Sequence, residues 1–307
     1  MEKMSIVTVT DDRYAQHLGV MLTSLFENKV LKNLIEIYVV SSRLKQDNKN
    51  KLEDICSNYD AICTFVEVNG EQYSNLSVRN HMSHAAYYKI SIPYLLSEVD
   101  KALFLDCDLI IREDIKDLWD IDIKDYLIAA VENPGFNRHD QLGIPLNHKT
   151  FNSGVMLMNL KKWREEKIPE KVIGFLHENS HRLSLHDQDG FNAIMYGQWL
   201  HIHPEWNQQT KFFEIKPNEI SYSKEEFKKA LQQPAIIHYT TSSKPWHFLN
   251  KHPYKKEYYK YLRMTEWKDF KPQNIKISHR ILKVFINIFP SVMYMKIKSN
   301  IRNQFIK

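Results

Sequence analysis

The sequence is poor in cysteine and has no long apolar run. Its three cysteines, Cys56, Cys63 and Cys107, are odd in number and lack the spacing of a zinc site, so we expect reduced thiols rather than a disulfide scaffold. No stretch approaches the roughly 20 apolar residues of a membrane-spanning helix, and the first ten residues lack the apolar core of a signal peptide. Together these absences predict a cytoplasmic protein.

Acidic side chains are missing from residues 271–307. Eight basic residues lie in this tail: Lys271, Lys276, Arg280, Lys283, Lys296, Lys298, Arg302 and Lys307. The net charge of +5 therefore leaves residues 1–270 at −3. Within the tail, the polar residues of 275–289 recur at helical spacing opposite a wide apolar face.

A basic amphipathic helix of this kind is typical of the interface of an anionic membrane. We therefore expect the tail 271–307 to attach the protein peripherally to the inner face of the cell membrane. The alternative is a helix packed on the main domain with its polar stripe in solvent. The aromatic residues lie on the apolar face rather than among the cations, which does not favour nucleic acid as a partner.

Internal repeats are also absent, and residues 1–270 alternate strand-like and helix-like segments. Strands are predicted at 5–10, 35–40, 61–68, 102–105, 126–131, 154–159 and 235–239. Helices are predicted at 14–28, from the end of the second strand to about residue 59, at 84–99, where Pro93 kinks or restarts the helix, at 161–178 and at 188–196. This alternation predicts an α/β domain with a mostly parallel sheet covered on both faces, whose ligands bind beyond the carboxyl ends of the strands.

One of three Asp-x-Asp pairs has an apolar setting. Asp106 and Asp108 lie in LFLDCDLII, where apolar residues flank both carboxylates. Burying two like charges is costly unless a cation compensates them, so this pair predicts a Mg²⁺ or Mn²⁺ site that substrate phosphates complete. The alternative is a turn at the strand end, with Cys107 facing the core.

The other two pairs have simpler explanations. Asp120 and Asp122 lie in a stretch so rich in charge that a solvated surface accounts for them. Asp187 and Asp189 lie in HDQDGFNAI, where capping of a helix is the alternative to a functional role.

A third metal ligand is expected at the end of another apolar strand. IIHY places His238 at the same edge of the predicted sheet, although a lone histidine is often a satisfied core residue. Lys244 follows in TSSKPWH, where it can reach a diphosphate. No apolar periodicity fixes the loop from Thr240 to His247, so we expect this loop to close over a charged ligand.

Six motifs occur in order between Ile6 and His247: TVTDDRYAQHLGVMLTSL, HMSHAAYYKISIPYLL, KALFLDCDLII, FNSGVMLMNLKKW, HDQDGFNAI and HYTTSSKPWH. Together they resemble glycosyltransferase family 8, the retaining enzymes with the GT-A fold. They are similar in particular to the bacterial lipooligosaccharide α-1,4-galactosyltransferases and to the general stress protein A group. The resemblance covers about four fifths of the chain.

The resemblance implies a Mn²⁺-dependent enzyme, with Mg²⁺ as a second choice, that moves galactose or glucose from a UDP-sugar to a surface glycan, glycolipid or glycoprotein. It implies Asp106, Asp108 and His238 as the metal ligands. The donor nucleotide would be bound by Thr10, Asp11, Tyr14, His81, Lys89, Cys107 and Lys244, together with the aspartates. The catalytic positions around the donor sugar would be Asn152, Asp187, Gln188 and Lys244.

The chain departs from the family pattern at three places. Tyr-x-Arg is replaced by Tyr87-Tyr88-Lys89, and lysine lacks the bidentate fork of arginine. Thr240 and Thr241 stand where a glycine is usual, and Glu132 stands where related enzymes often have an aspartate near the acceptor. The position of a possible nucleophile holds Gln188, a poor nucleophile, which favours front-face attack over double displacement.

Two other functions are compatible with a nucleotide-binding sheet. A sugar nucleotidyltransferase would be expected to have a Gly-rich phosphate loop after the first strand, where this chain has Asp11 and Asp12 instead. A non-catalytic or self-priming relative that binds nucleotide-sugar or glycan is the second alternative. Loss of a metal ligand would indicate it, and all three candidates are present.

Overall fold

A computed structural model describes residues 3–30, 34–73, 76 and 84–272. Its strands are β1 Met4–Val9, β2 Ile35–Ser41, β3 Ile62–Glu67, β4 Lys101–Leu105, β5 Leu109–Ile111, β6 Ile128–Glu132, β7 Phe151–Asn159, β8 Trp199–His201, β9 Gln208–Gln209 and β10 Ile236–His238. Its α-helices are α1 Ala15–Glu27, α2 Gln46–Ser57, α3 Ile92–Leu95, α4 Lys116–Trp119, α5 His139–Leu142, α6 Leu160–Glu165, α7 Ile168–Glu178, α8 Asp187–Met195, α9 Lys224–Gln232 and α10 Lys255–Leu262. The 3₁₀ helices are Gly70–Tyr73, His84–Ser91, Pro204–Asn207, Thr210–Phe213 and Pro217–Glu219.

Seven strands form a large sheet in the order β3-β2-β1-β4-β7-β6-β8. Within it β7 alone runs antiparallel to its neighbours, β4 and β6. The sheet is therefore mostly parallel, as predicted. The parallel pairing brings the carboxyl ends of β1 and β4 side by side, the position at which ligands bind in sheets of this kind.

Both faces of the large sheet are covered by helices. Alternate residues of a strand point to opposite faces, so Ile6 packs with the apolar side of α1 and α2, whereas Val7 packs with α3, α6, α7 and α8. The same alternation in β4 separates Leu103 from Phe104. This double burial explains why the central strands have continuous apolar sequences.

A small sheet of order β5-β10-β9 lies next to the large one. The sequence predicts the strand that carries His238 in the same sheet as the aspartates. This was wrong for the sheet, because β10 pairs with β5 and β9, although His238 does lie beside the aspartates. The backbone of Asp106 still bonds to β7, through Gly154 O at 2.9 Å. The carbonyl of Asp108 already accepts the N–H of Tyr239, beyond β10, at 3.1 Å. The Asp106–Asp108 segment is therefore the crossing between the two sheets.

Two predicted helices are divided in the structure. Residues 84–99 form the 3₁₀ helix His84–Ser91 and then α3, in whose first turn Pro93 lies. Residues 161–178 belong to α6 and α7, which are separated at Lys167 with a φ of 52°. A proline cannot continue a preceding helix, and Pro169 occupies the first turn of α7. In the part of the chain described, no helix combines the length and apolarity needed to span a bilayer.

Candidate active site

A cavity of about 370 Å³ lies where the carboxyl ends of β1 and β4 meet the small sheet. Its lining includes every predicted site residue within the described ranges: Thr10, Asp11, Tyr14, Lys89, Asp106, Cys107, Asp108, Asn152, Asp187, Gln188, His238 and Lys244. His81 lies outside the described residues. The structure therefore places in one cavity side chains that are far apart in the sequence.

The three predicted metal ligands meet in this cavity. Asp106, Asp108 and His238 each offer one ligand atom, and these atoms lie within 4.8 Å of one another. His238 Nε2 is 3.3 Å from Asp108 Oδ1 and 3.8 Å from Asp106 Oδ2. Gly154 makes the approach possible, because a Cβ there would lie 2.2 Å from His238 Cε1 and 2.6 Å from Asp106 Oδ2.

Lys89 is a buried cation between two carboxylates. Its Nζ lies 3.2 Å from Asp106 Oδ1 and 3.0 Å from Asp187 Oδ2. Burial alone would lower the pKa of Lys89, but the two carboxylates outweigh it and raise the pKa, so the ammonium stays charged. For Asp187, burial and the nearby Asp106 outweigh Lys89 and raise the pKa. Lys89 thus makes one contact to each carboxylate, whereas an arginine could donate two parallel hydrogen bonds to one of them.

Lys244 contacts Asp108 directly. Its Nζ donates to Asp108 Oδ2 and to the carbonyl of Tyr239, both at 2.5 Å. Burial alone would raise the pKa of Asp108, but Lys244 and His238 together hold it well below its usual range, so this carboxylate is ionised. The site therefore carries the negative charge of Asp108 next to the buried cation of Lys244.

The loop that carries Lys244 is anchored more firmly than its sequence suggested. Trp246 is buried and stacks on His17 of α1, with ring centroids 3.5 Å apart. Asn250 Nδ2 donates to the carbonyl of Ser243 at 2.7 Å. The loop has no apolar periodicity, but one buried aromatic residue fixes it, and its closure over a charged ligand stays a prediction.

The segment after β1 forms the opposite part of the cavity. Asp11 Oδ1 accepts the backbone N–H groups of Arg13 at 2.9 Å and of Tyr14 at 3.1 Å, so it supports the turn into α1 and also lines the cavity. Thr10 is buried, and Tyr14 is half-buried. Cys107 donates its S–H to the carbonyl of Val9 at 3.1 Å, and burial raises its pKa to about 12. It is therefore a neutral thiol, not a thiolate ligand.

Gln188 and Asn152 are tied together on a third side. Asn152 Nδ2 donates to Gln188 Oε1 at 3.1 Å, and Ser153 N donates to the same oxygen at 3.0 Å. His186, which precedes α8, has a φ of 52° and a ψ of −117°, a conformation that L-residues rarely adopt. Its Nδ1 lies 3.1 Å from the hydroxyl of Tyr87. The strained residue therefore lies directly before α8, whose first two residues, Asp187 and Gln188, line the cavity.

The remaining Asp-x-Asp residues behave as their surroundings suggest. Asp120 and Asp122 are exposed. Asp189 is buried, pairs with Arg138 at 2.5 Å and accepts the backbone N–H groups of Ser184 and Leu185. Asp189, in the first turn of α8, thus holds the segment that precedes the helix by accepting its backbone N–H groups, much as a capping side chain does.

Sequence analysis missed several residues of the cavity wall. These are Arg13, Asn133, Ser153, Gln209 and Lys211. Asn133 and Ser153 had a usable signal, because they adjoin the predicted site positions Glu132 and Asn152. Gln209 had none, since a strand of two residues leaves no pattern in the sequence.

Residues 5–250 match the sequence profile of the family described as "Glycosyl transferase family 8". The chain belongs to this family. General stress protein A of Bacillus subtilis is 39% identical over 272 residues, covering 87% of this glycosyltransferase and 95% of the relative. The lipopolysaccharide 1,2-glucosyltransferase of Escherichia coli K12 is 27% identical over 281 residues, covering 90% and 82% of the two chains.

Among solved structures, the galactosyltransferase LgtC in complex with donor and acceptor sugar analogs is similar to this glycosyltransferase. It superposes with a TM-score of 0.78 at 21% identity, covering 90% of this chain and 99% of LgtC. At this identity the likeness concerns the fold. It confirms the predicted GT-A architecture.

Proposed function

We propose that this family 8 glycosyltransferase moves a hexose, galactose or glucose, from a UDP-sugar to a cell-surface glycan, glycolipid or glycoprotein, with retention of configuration. The observation that carries the proposal is one cavity that combines the Asp106, Asp108 and His238 cluster with the buried pair of Lys89 and Asp187. The names of two similar proteins, a glucosyltransferase that acts on lipopolysaccharide and a galactosyltransferase, support the hexose and the surface acceptor.

The residues present fit a divalent metal ion. Two carboxylates and one imidazole form a donor set suited to Mn²⁺, with Mg²⁺ as the second choice, and Gly154 leaves the space between them free of a side chain. Asp106, Asp108 and His238 would hold the ion. When bound, it supplies Lewis-acid stabilisation to the diphosphate leaving group.

The chain's own residues would place the donor around this ion. Thr10, Asp11 and Tyr14 would hold the uracil and ribose, with His81 beside the nucleotide. Lys244 lies next to Asp108 and would add a second positive charge at the diphosphate. Because its Nζ already contacts the proposed ligand Asp108, it needs to move little to reach a phosphate on the same side.

The hydrogen bonds of Gln188 support front-face attack. A nucleophile beneath the anomeric carbon needs a free lone pair, but Gln188 Oε1 accepts from Asn152 and from Ser153. In the proposed scheme the leaving phosphate accepts the proton of the acceptor hydroxyl. Asp187, held by Lys89, would position the hydroxyl groups of the donor sugar.

A donor screen tests the proposal. Purified protein is incubated with each UDP-sugar and a surface-glycan fraction, and released UDP and glycosylated products are measured with Mn²⁺, with excess chelator, and with Mn²⁺ restored. We expect activity with UDP-galactose or UDP-glucose that chelation abolishes and Mn²⁺ restores. Asp108→Ala should be inactive, whereas Asp122→Ala, which removes an exposed carboxylate of the same sequence pattern, should behave as the wild type.

Two results would contradict parts of the proposal. Full activity in excess chelator would exclude the metal role. Binding of UDP without hydrolysis or transfer of any donor would favour the non-catalytic alternative, and release of diphosphate from a sugar phosphate and a nucleoside triphosphate would favour the nucleotidyltransferase.

We also propose that the basic tail attaches the enzyme to the inner face of the cell membrane. Residues 273–307 lie outside the described residues, so the support comes from their sequence: the absence of acidic residues and the polar stripe in 275–289.

A further inference from the structure

A row of buried amide side chains connects the proposed metal ligand His238 to Gln188. His238 Nδ1 lies 2.9 Å from Asn207 Oδ1, and Asn207 Nδ2 donates to Asn152 Oδ1 at 3.0 Å. Asn152 Nδ2 then donates to Gln188 Oε1 at 3.1 Å. All four side chains are buried, and Asn207 is completely so. Only its last hydrogen bond, from Asn152 to Gln188, has entered the roles assigned so far to these residues.

Two backbone N–H groups fix which way each amide points. Gly154 N donates to Asn152 Oδ1 at 3.0 Å, so this atom must be the oxygen. The Asn207 atom that faces it must then be the NH₂ group, because two oxygens cannot share a hydrogen bond. At the other end, Ser153 N identifies Gln188 Oε1 as an oxygen in the same way. The orientation of Asn207 is therefore determined by the fold.

The orientation of Asn207 makes His238 Nδ1 a hydrogen-bond donor. With its NH₂ group facing Asn152, Asn207 presents its oxygen to His238 Nδ1, and an oxygen can only accept. His238 Nδ1 must therefore carry a proton. Nε2, the nitrogen that faces Asp106 and Asp108, is then the ring nitrogen whose lone pair a metal ion can take.

We propose that Asn207 is a positioning residue that sets the tautomer of His238 and, through Asn152, couples the metal ligand to Gln188. The inference rests on the proposed metal site and deepens it. A metal-ligating histidine usually has a partner of this kind on its other nitrogen. Here the partner of His238 is Asn207, which is oriented through Asn152 by a backbone N–H group of β7. A second N–H group of β7 fixes Gln188, so the same strand positions the metal ligand and Gln188.

The tautomer can be observed without metal or substrate. Two-bond ¹H–¹⁵N correlation spectra of histidine-labelled protein distinguish Nδ1–H from Nε2–H, and comparison with His238→Gln assigns the signal among the 14 histidines. We expect a proton on Nδ1 in the wild type, with or without a second proton on Nε2, and Nε2–H alone, the form that free imidazole side chains prefer, in Asn207→Ala. Gln208→Ala is the control, because Gln208 is an equally buried neighbouring amide whose side chain bonds to Gln209 O. Its spectrum should match the wild type.

Metal affinity provides the second measurement. Titration with Mn²⁺ alone, followed by electron paramagnetic resonance, should show binding weakened by about 10- to 100-fold in Asn207→Ala. Asn207→Asp keeps an acceptor for His238 but loses the donor to Asn152. It should therefore bind Mn²⁺ nearly as the wild type does while donor hydrolysis falls.

A wild-type His238 without a proton on Nδ1 would overturn the inference, and so would wild-type Mn²⁺ affinity in Asn207→Ala. Equal loss of affinity in the Ala and Asp variants would also overturn it, because the acceptor would then be irrelevant. These outcomes are independent of glycosyl transfer. If the protein has no transferase activity but the tautomer and affinities follow expectation, the proposed function fails and the positioning role stands.

Discussion

Gly154 shows how closely the side chains of the metal cluster are packed. A methyl group at this position would overlap His238 and Asp106, both of which are held by other contacts. We expect Gly154→Ala to displace a ligand and to lower donor hydrolysis by about 10²-fold, the scale of a displacement of about 1 Å at a reacting centre. Titration with Mn²⁺ and steady-state kinetics measure both effects.

The matched control is Gly174→Ala in α7. No described atom lies within 4 Å of the Cβ that this change would add. Alanine favours a helix interior over glycine, so the control should keep its activity and gain up to about 1 kcal/mol of stability. Wild-type Mn²⁺ affinity in Gly154→Ala would mean that the two side chains can move apart at little cost.

At the scale of residues, burial could be predicted from sequence but the network could not. Apolar neighbours on both sides identified Asp106 and Asp108, because continuous apolar residues indicate strands that are buried on both faces. Asn207 carries no such signal. Its partners lie 31 and 55 positions away, and their meeting depends on how the two sheets pack.

At the scale of elements, the loop from Thr240 to His247 is packed on a helix at one residue and contributes a cation to the cavity at another. Trp246 is packed on α1, whereas Lys244 lies against Asp108 in the cavity. If Lys244 stabilises the charge that develops on the leaving group, its loss affects turnover more than donor binding. We expect Lys244→Ala to lower kcat by about 10²-fold with a much smaller change in the donor KM.

Lys255→Ala is a suitable control for this loop. Lys255 Nζ donates to the carbonyls of His247 and Asn250, so the variant loosens the loop without removing charge from the cavity. It should affect kcat less than Lys244→Ala does. An unchanged kcat in Lys244→Ala would remove this residue from the proposed mechanism.

The basic tail is a second element with a defined test. Lys276→Glu, Arg280→Glu and Lys283→Glu together reverse the polar stripe of 275–289 in the full-length chain. Each basic residue near an anionic surface contributes about 1 kcal/mol, so binding to anionic liposomes should fall by more than about 10²-fold. Co-sedimentation with anionic and with neutral liposomes measures it, and donor hydrolysis in solution should be unchanged. Equal binding of the triple variant and the wild type to anionic liposomes would contradict the proposed membrane attachment.

Except for β10, which has three residues, the strands that sequence analysis found have at least five. β1, β2 and β7 have enough residues for an apolar pattern, whereas β5 has three and β9 has two. In the sequence, LII after Asp108 therefore looks like flanking apolar residues, although it begins a new sheet. α9 does carry a sequence signal, the capping box of Ser223 and Glu226.

At the scale of the whole molecule, two buried histidines make stability depend on pH. His17 is enclosed by Trp246 and Tyr258, and His252 Nδ1 accepts the N–H of Tyr254, which only a neutral ring can do. Burial lowers the pKa of both to about 3. The unfolded chain therefore binds more protons below about pH 6.5, and stability is lost as the pH falls through that value.

We expect each histidine to lower the free energy of unfolding by about 1.4 kcal/mol between pH 7.5 and pH 5.5. Urea denaturation at the two pH values measures the change. His252→Asn keeps an acceptor for Tyr254 and cannot be protonated. The free energy of unfolding of this variant should therefore fall by about 1.4 kcal/mol less than that of the wild type between the two pH values. An identical loss in the two proteins would show that His252 is charged in the fold.

The division of the site between two sheets has a consequence for synthesis of the chain. All seven strands of the large sheet have been made once residue 201 has left the ribosome, but Lys244 and Asp108 are separated by 136 positions. β5 finds its partner β10 only after residues 236–238 appear. Chains grow from the N-terminus, and contacts over long separations form late. A nascent chain released before β10 would therefore carry both aspartates and the complete large sheet, yet be unable to act on a donor.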